Sequence, residues 1–103
     1  MEKPLQIIWR HMEEDDETRA LVEERMAKLD SQLPSITSCV VTVEASKTFP
    51  NGTSEYTVKA VMHLVRDEVL VQTETANDPK EAVREVFNHL KRRAHEFFEK
   101  LQS

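Results

Sequence analysis

Positive charge is concentrated near the end of the chain, in the segment NHLKRRAH from Asn88 to His95. Lys91, Arg92 and Arg93 are consecutive cations there, and the segment contains no acidic residue. The chain as a whole is acidic, with a formal net charge of −5 over 103 residues. Lysine and arginine side chains bind phosphate groups through charge, and such contacts do not read the base sequence. The chemistry that this segment permits is therefore binding to a nucleic-acid backbone.

Other cations fall at helical spacing with this segment. Arg84, Asn88 and Lys91 are separated by four and three residues, which places them on one face of a helix. Arg25 and Lys28 are three residues apart in an earlier amphipathic stretch. If the two helices lie side by side, their outer faces combine into one basic surface. The predicted contacts with phosphate groups are Arg25, Lys28, Lys80, Arg84, Lys91, Arg92 and Arg93.

A solvated helix face is the alternative interpretation of these charges. Arg92 and Glu96 are four residues apart, and so are Glu96 and Lys100. Opposite charges at this spacing form ion pairs on exposed helices. Charge alone favours this alternative, in which the cations serve only the helix itself.

Residues suited to catalysis or metal binding do not converge in the sequence. His89 and His95 are six residues apart, which places them roughly 120° apart around a helix. Cys39 is the only cysteine and falls on the apolar side of a predicted strand, which favours a buried thiol over a nucleophile. Gly52 is the only glycine, which excludes a glycine-rich phosphate-binding loop. The sequence thus predicts no enzyme, no metal site and no cofactor.

Hydrophobic periodicity predicts six elements that position these residues, in the order β-α-β-β-β-α. Pro34 is expected to end the first helix, and Asn77 or Asp78 to cap the second. A right-handed crossover makes the first two strands parallel, and both helices then cover one face of a four-stranded sheet. The fold class is a two-layer α+β sandwich. Strands are predicted at residues 5–11, 37–45, 55–66 and 69–75, and helices at residues 18–33 and 79–101.

Length and composition indicate a single domain, residues 1–103, in the cytoplasm. Hydrophobic residues make up 39% of the chain and charged residues 32%, which is typical of a globular domain. A lone cysteine excludes an internal disulfide and fits a reducing compartment. No apolar run is long enough for a membrane span, and the acidic N-terminal region is unlike a signal peptide.

Four segments resemble, in their order and spacing, the ribosome hibernation-promoting factor / ribosome-associated inhibitor A family of bacteria. The segments are PLQIIWRHM, ALVEERMAKLD, ITSCVVTVEA and NDPKEAVREVFNHLKRRAHEFFEKL. The resemblance implies a fold similar in outline to a double-stranded RNA-binding domain. It also implies a non-enzymatic role, in which the protein binds the small ribosomal subunit near the decoding region and blocks tRNA and messenger RNA sites during stress.

The resemblance further implies that basic residues of both helices contact ribosomal RNA, which in the small subunit is the 16S RNA. The resemblance places Arg25 and Lys28 in the basic part of the first helix, and Lys91, Arg92 and Arg93 in that of the last.

A protein-interaction module with reduced RNA affinity is the second functional hypothesis. The sheet face that the helices leave open carries Val40, Val61 and Val65 among polar residues. Apolar side chains on an exposed sheet face can dock a partner or pair two copies of a chain. This hypothesis predicts a weak homodimer.

Overall fold

A computed structural model describes residues 5–33 and 36–102, and it confirms the predicted order of elements. A short 3-10 turn, Val65–Asp67, joins the third and fourth strands. The strands are β1 (Leu5–Arg10), β2 (Ile36–Thr48), β3 (Ser54–Leu64) and β4 (Val69–Ala76), and the helices are α1 (Asp16–Gln32) and α2 (Pro79–Gln102).

The strands form one mixed sheet in the order β1-β2-β3-β4. β1 runs parallel to β2, with Ile7 beside Val41, as a crossover connection through α1 requires. β2 pairs with β3 in antiparallel fashion, with Val41 beside Ala60, and β3 pairs with β4 in the same way. β1 and β4 are therefore the edges of the sheet.

One hydrophobic core lies between the sheet and the two helices. Alternate residues of the strands face the helices, because successive side chains of a strand point to opposite faces. This places Val41 of β2 and Ala60 of β3, both fully buried, against Met26 of α1 and Leu90 of α2. Both helices thus cover the same sheet face, and the predicted two-layer α+β sandwich is confirmed.

The first helix begins earlier than the hydrophobic pattern predicts. Asp15 is its N-cap residue, Asp16 and Glu17 occupy its first turn, and the buried Thr18 hydroxyl donates a hydrogen bond to the Asp15 carboxylate. Carboxylates are stabilised there because the N-terminus of a helix is the positive end of its dipole. The predicted role of Pro34 in ending α1 lies outside the described residues.

Capping of the second helix depends on Asp78. Its Oδ1 accepts a hydrogen bond of 2.9 Å from the backbone N–H of Lys80, so it satisfies a donor that the first turn leaves unpaired. This resolves the choice between Asn77 and Asp78. Pro79 is the first helical residue, where the missing N–H of proline costs no hydrogen bond.

The hairpin between β2 and β3 is longer than predicted. Strand pairing continues to Thr48 and Ser54, and the backbone N–H of Phe49 donates to the carbonyl of Thr53 at 2.8 Å. Gly52 has a φ of +90°, a conformation that glycine adopts without strain. The predicted turn is present, but the pairing of β2 with β3 extends into residues whose sequence alone predicts a loop.

Candidate nucleic-acid interface

The two helices lie side by side and begin at the same end of the molecule. The Nζ of Lys80 on α2 is 2.7 Å from Oε2 of Glu17 on α1, which joins their first turns. Further along, a groove opens between the helices above Leu29 and Phe87. This interhelical groove is lined on its two polar sides by Arg25, Lys28, Gln32, Asn88 and Lys91.

The groove brings together cations that are more than 60 residues apart in the sequence. Arg25 and Lys28 face it from α1, and Lys91 faces it from α2, so the predicted meeting of two basic helix faces occurs. Gln32, one turn after Lys28, was not predicted as part of the site. Its spacing of four residues from Lys28 is the signal that identifies it.

Several of these cations have no acidic partner in the part of the chain that the structure describes. Within residues 5–33 and 36–102, Arg25, Arg84, Lys91 and Arg92 form no ion pair and no side-chain hydrogen bond. Arg84, Lys91 and Arg92 are also exposed. The Arg92–Glu96 pair that a self-contained helix face predicts is therefore not formed. Unpaired cations on one surface create a local positive potential even on an acidic protein, because distant charges are screened.

Two other predicted contacts are partly neutralised. Lys28 Nζ is 3.4 Å from Glu24 one turn earlier in α1. Lys80 is held by Glu17, whose hydrogen bond and negative charge raise the pKa of the lysine. Each of these acids competes with an external anion for its lysine.

Arg93 points away from the groove. Its Nη1 donates to the backbone carbonyl of Val71 at 2.6 Å and to Oε1 of Gln72 at 3.2 Å, so its guanidinium lies against β4. Residues two apart on an α-helix are separated by about 200°. Lys91 and Arg93 therefore lie on opposite sides of α2, which separates Arg93 from the other predicted contacts.

The environment of Cys39 does not favour nucleophilic chemistry. Cys39 is buried as its position in the strand predicts, and desolvation raises the pKa of its thiol from 9.0 to about 12. The thiolate, which is the reactive form, is thus scarce at neutral pH. Among the residues that the structure describes, no three His, Cys, Asp or Glu side chains form a group that could hold a metal ion. No described helix is both long and apolar enough to cross a membrane.

Comparisons with known proteins bear on the family and the fold. A family model described as sigma 54 modulation protein / S30EA ribosomal protein matches residues 5–102. A search of curated protein sequences gave no match. The fold is similar to that of a ribosomal subunit interface protein from Coxiella burnetii, with a TM-score of 0.78 and 13% identity over 91% of this chain and 96% of that one.

A second solved structure has the same fold. It is the N-terminal domain of Thermus thermophilus Protein Y, which matches with a TM-score of 0.75 and 18% identity over 89% of this chain and 94% of that domain. At these identities the two structural matches establish the fold.

Proposed function

Because this chain belongs to the sigma 54 modulation protein / S30EA ribosomal protein family, we propose that it is a ribosome-associated translation inhibitor. In this role it binds the small ribosomal subunit in the cytoplasm and promotes hibernation of the ribosome under stress. The role requires no catalysis. The interhelical groove and the outer side of α2, where Arg84 and Arg92 are exposed, contact phosphate groups of the 16S ribosomal RNA.

The observation that carries the proposal is the position of the unpaired cations. Arg25 and Lys91 line the groove, and Arg92 lies on the exposed surface of the same helix as Lys91. The aromatic ring at the groove, Phe87, is only 4% exposed, so it is unsuited to stacking on a base. Cations without an exposed aromatic platform favour contact with the RNA backbone, whose charge is the same at every nucleotide.

The proposed contacts are those that face the groove or the outer side of α2. Arg93 is left out because its guanidinium is bound to β4. Lys28 and Lys80 are weaker contacts because each must first leave a carboxylate. The set is Arg25, Lys28, Lys80, Arg84, Lys91 and Arg92.

Salt-dependent binding to isolated small ribosomal subunits tests the proposal. If Arg25, Arg84, Lys91 and Arg92 each neutralise one phosphate, the logarithm of the binding constant falls with the logarithm of salt concentration with a slope of about −3. The variant K91A/R92A should bind more weakly and reduce the magnitude of this slope by about 2.

A matched control is available on the opposite side of the molecule. Lys59 is an exposed residue of β3 that forms no ion pair within the described part of the chain. Lys59→Ala should leave both the affinity and the slope unchanged. Absence of binding at low salt, or equal effects of K59A and K91A/R92A, would rule out the groove as the RNA contact.

A protein-interaction module remains the second candidate because of one row on the open sheet face. Val40, Val61 and Val71 are direct neighbours across β2, β3 and β4, and Val71 is 45% exposed. Val65, which the sequence predicts on this face, lies in the 3-10 turn after β3 instead. In this alternative the open faces of two copies pack together in a weak homodimer. Sedimentation of the unmodified protein over a range of concentrations tests it, and a monomer at the highest concentration rejects it.

A further inference from the structure

Among the residues that the structure describes, most backbone groups on the outer edge of β4 have no hydrogen-bond partner. In an antiparallel strand, the N–H and the C=O of one residue point to the same side. The Val71 carbonyl accepts from Arg93 rather than from β3, so the groups of Val71 point outward from the sheet. By alternation, those of Val69, Thr73 and Thr75 do the same. Such an edge is a template for the addition of another strand.

Several of the usual protections of an edge strand are missing from β4, although Glu74 is a charged residue on its helix-facing side. Its outward-pointing positions carry no proline and no charged side chain, and its pairing with β3 has no bulge. All of these positions hold β-branched residues, which favour sheet structure. Val69 and Val71 are 42% and 45% exposed.

The side chain of Arg93 takes the place of these protections. Its guanidinium covers the middle of the edge, 2.6 Å from the Val71 carbonyl oxygen. Gln72, which accepts its second hydrogen bond, is itself fixed by donating to Glu74 Oε2 at 2.8 Å and lies 3.1 Å from His89 Nδ1. An incoming strand would have to displace this guanidinium to reach the carbonyl.

We propose that Arg93 is a lock on the outer edge of β4, which keeps closed a strand-pairing surface for a second copy of this chain. Two β4 strands related by a two-fold axis pair antiparallel with Val71 opposite Thr73 and Val69 opposite Thr75 of the second copy. In this register every outward-pointing residue has a partner, and the symmetry closes the assembly at a dimer. With the lock in place, the chain is a monomer.

Replacement of Arg93 by an uncharged side chain tests the lock. Arg93→Met keeps most of the aliphatic stem, and Arg93→Gln keeps a polar end that is too short to reach the carbonyl. Either variant should double the solution mass from 12.0 kDa in sedimentation equilibrium. The matched control, Arg92→Met, removes the same charge from the adjacent residue and should stay monomeric.

A second substitution shows which surface pairs. Because the Thr73 N–H points outward, Thr73→Pro removes no hydrogen bond to β3 but blocks the addition of a strand, and it leaves the valine row of the open sheet face intact. The double variant R93M/T73P should therefore return to the monomer. A dimer that survives T73P would overturn the proposal, since the open valine face would then be the contact.

The remaining outcomes also decide the question. Folded R93M and R93Q proteins that stay monomeric at high concentration would overturn the lock, and so would loss of the fold by circular dichroism, because the proposal places Arg93 outside the core. Binding to small ribosomal subunits is a separate readout. R93M should retain it, so the lock and the proposed RNA contact can fail independently.

Discussion

We expect Glu24→Gln to strengthen the proposed RNA binding at the interhelical groove, because Glu24 competes with phosphate for Lys28. The Glu24 carboxylate is 3.4 Å from Lys28 Nζ, and both side chains are more than half exposed. An exposed pair at this helical spacing is worth about 0.3–0.5 kcal/mol. Release of Lys28 from this competition corresponds to roughly a twofold gain in affinity.

The salt dependence should change in the same direction. In the unmodified protein, a phosphate that binds Lys28 must displace Glu24. This contact therefore contributes less to the net release of counterions than a contact with an unpaired lysine does. The variant E24Q should therefore increase the magnitude of the salt slope by up to about 1. Loss of the helical pair should lower the free energy of unfolding by only about 0.3–0.5 kcal/mol.

Glu23→Gln is the control for this experiment, because it removes the same charge from a neighbouring residue. Glu23 is exposed and forms no ion pair among the described residues, and it is five residues from Lys28, about 140° around α1. Both substitutions change the net charge by one unit. A titration of binding to small subunits against salt should separate E24Q from E23Q, and equal effects of the two would refute the local competition with Lys28.

Two further predictions concern the core. Leu90 is fully buried on α2, so Leu90→Ala should lower the free energy of unfolding by about 2–5 kcal/mol in urea denaturation, whereas the exposed Arg92→Ala should change it by less than about 0.5 kcal/mol. Burial raises the pKa of the Cys39 thiol from 9.0 to about 12. The contribution of this buried thiol to the free energy of unfolding is therefore complete below pH 9, and it is lost as the pH rises toward 12. Unfolding curves across this range should show the decline, at up to about 1.4 kcal/mol per pH unit, and Cys39→Ala should flatten it.

The faces of the strands and helices were predictable because they depend on local geometry. Side chains alternate along a strand, so Val41 and Ala60 had to share a face with the residues two positions away. The helical stripe that contains Leu90 follows in the same way from 3.6 residues per turn. The alternation and the helical stripes predicted the α+β sandwich, and the order and spacing of the segments predicted the family.

The ends of several elements were not predictable from local pattern. β2 continues to Thr48 because its backbone pairs with Ser54, although its last residues are polar. α1 starts at Asp16 because Asp15 accepts the hydroxyl of Thr18 and the helix dipole stabilises the acids there. In both cases a hydrogen bond to another residue decides the boundary, whereas the hydrophobic pattern carries no information about it.

The sequence by itself determined which cations share a helix face, since that depends only on their spacing. The tertiary structure decided what each cation contacts. It brought Lys91 to Arg25 across the groove, Lys80 to Glu17, and Arg93 to the edge of β4. The physical reason is that periodicity fixes the direction of a side chain relative to its own helix, whereas its partners depend on how the core packs that helix against the sheet and against the other helix.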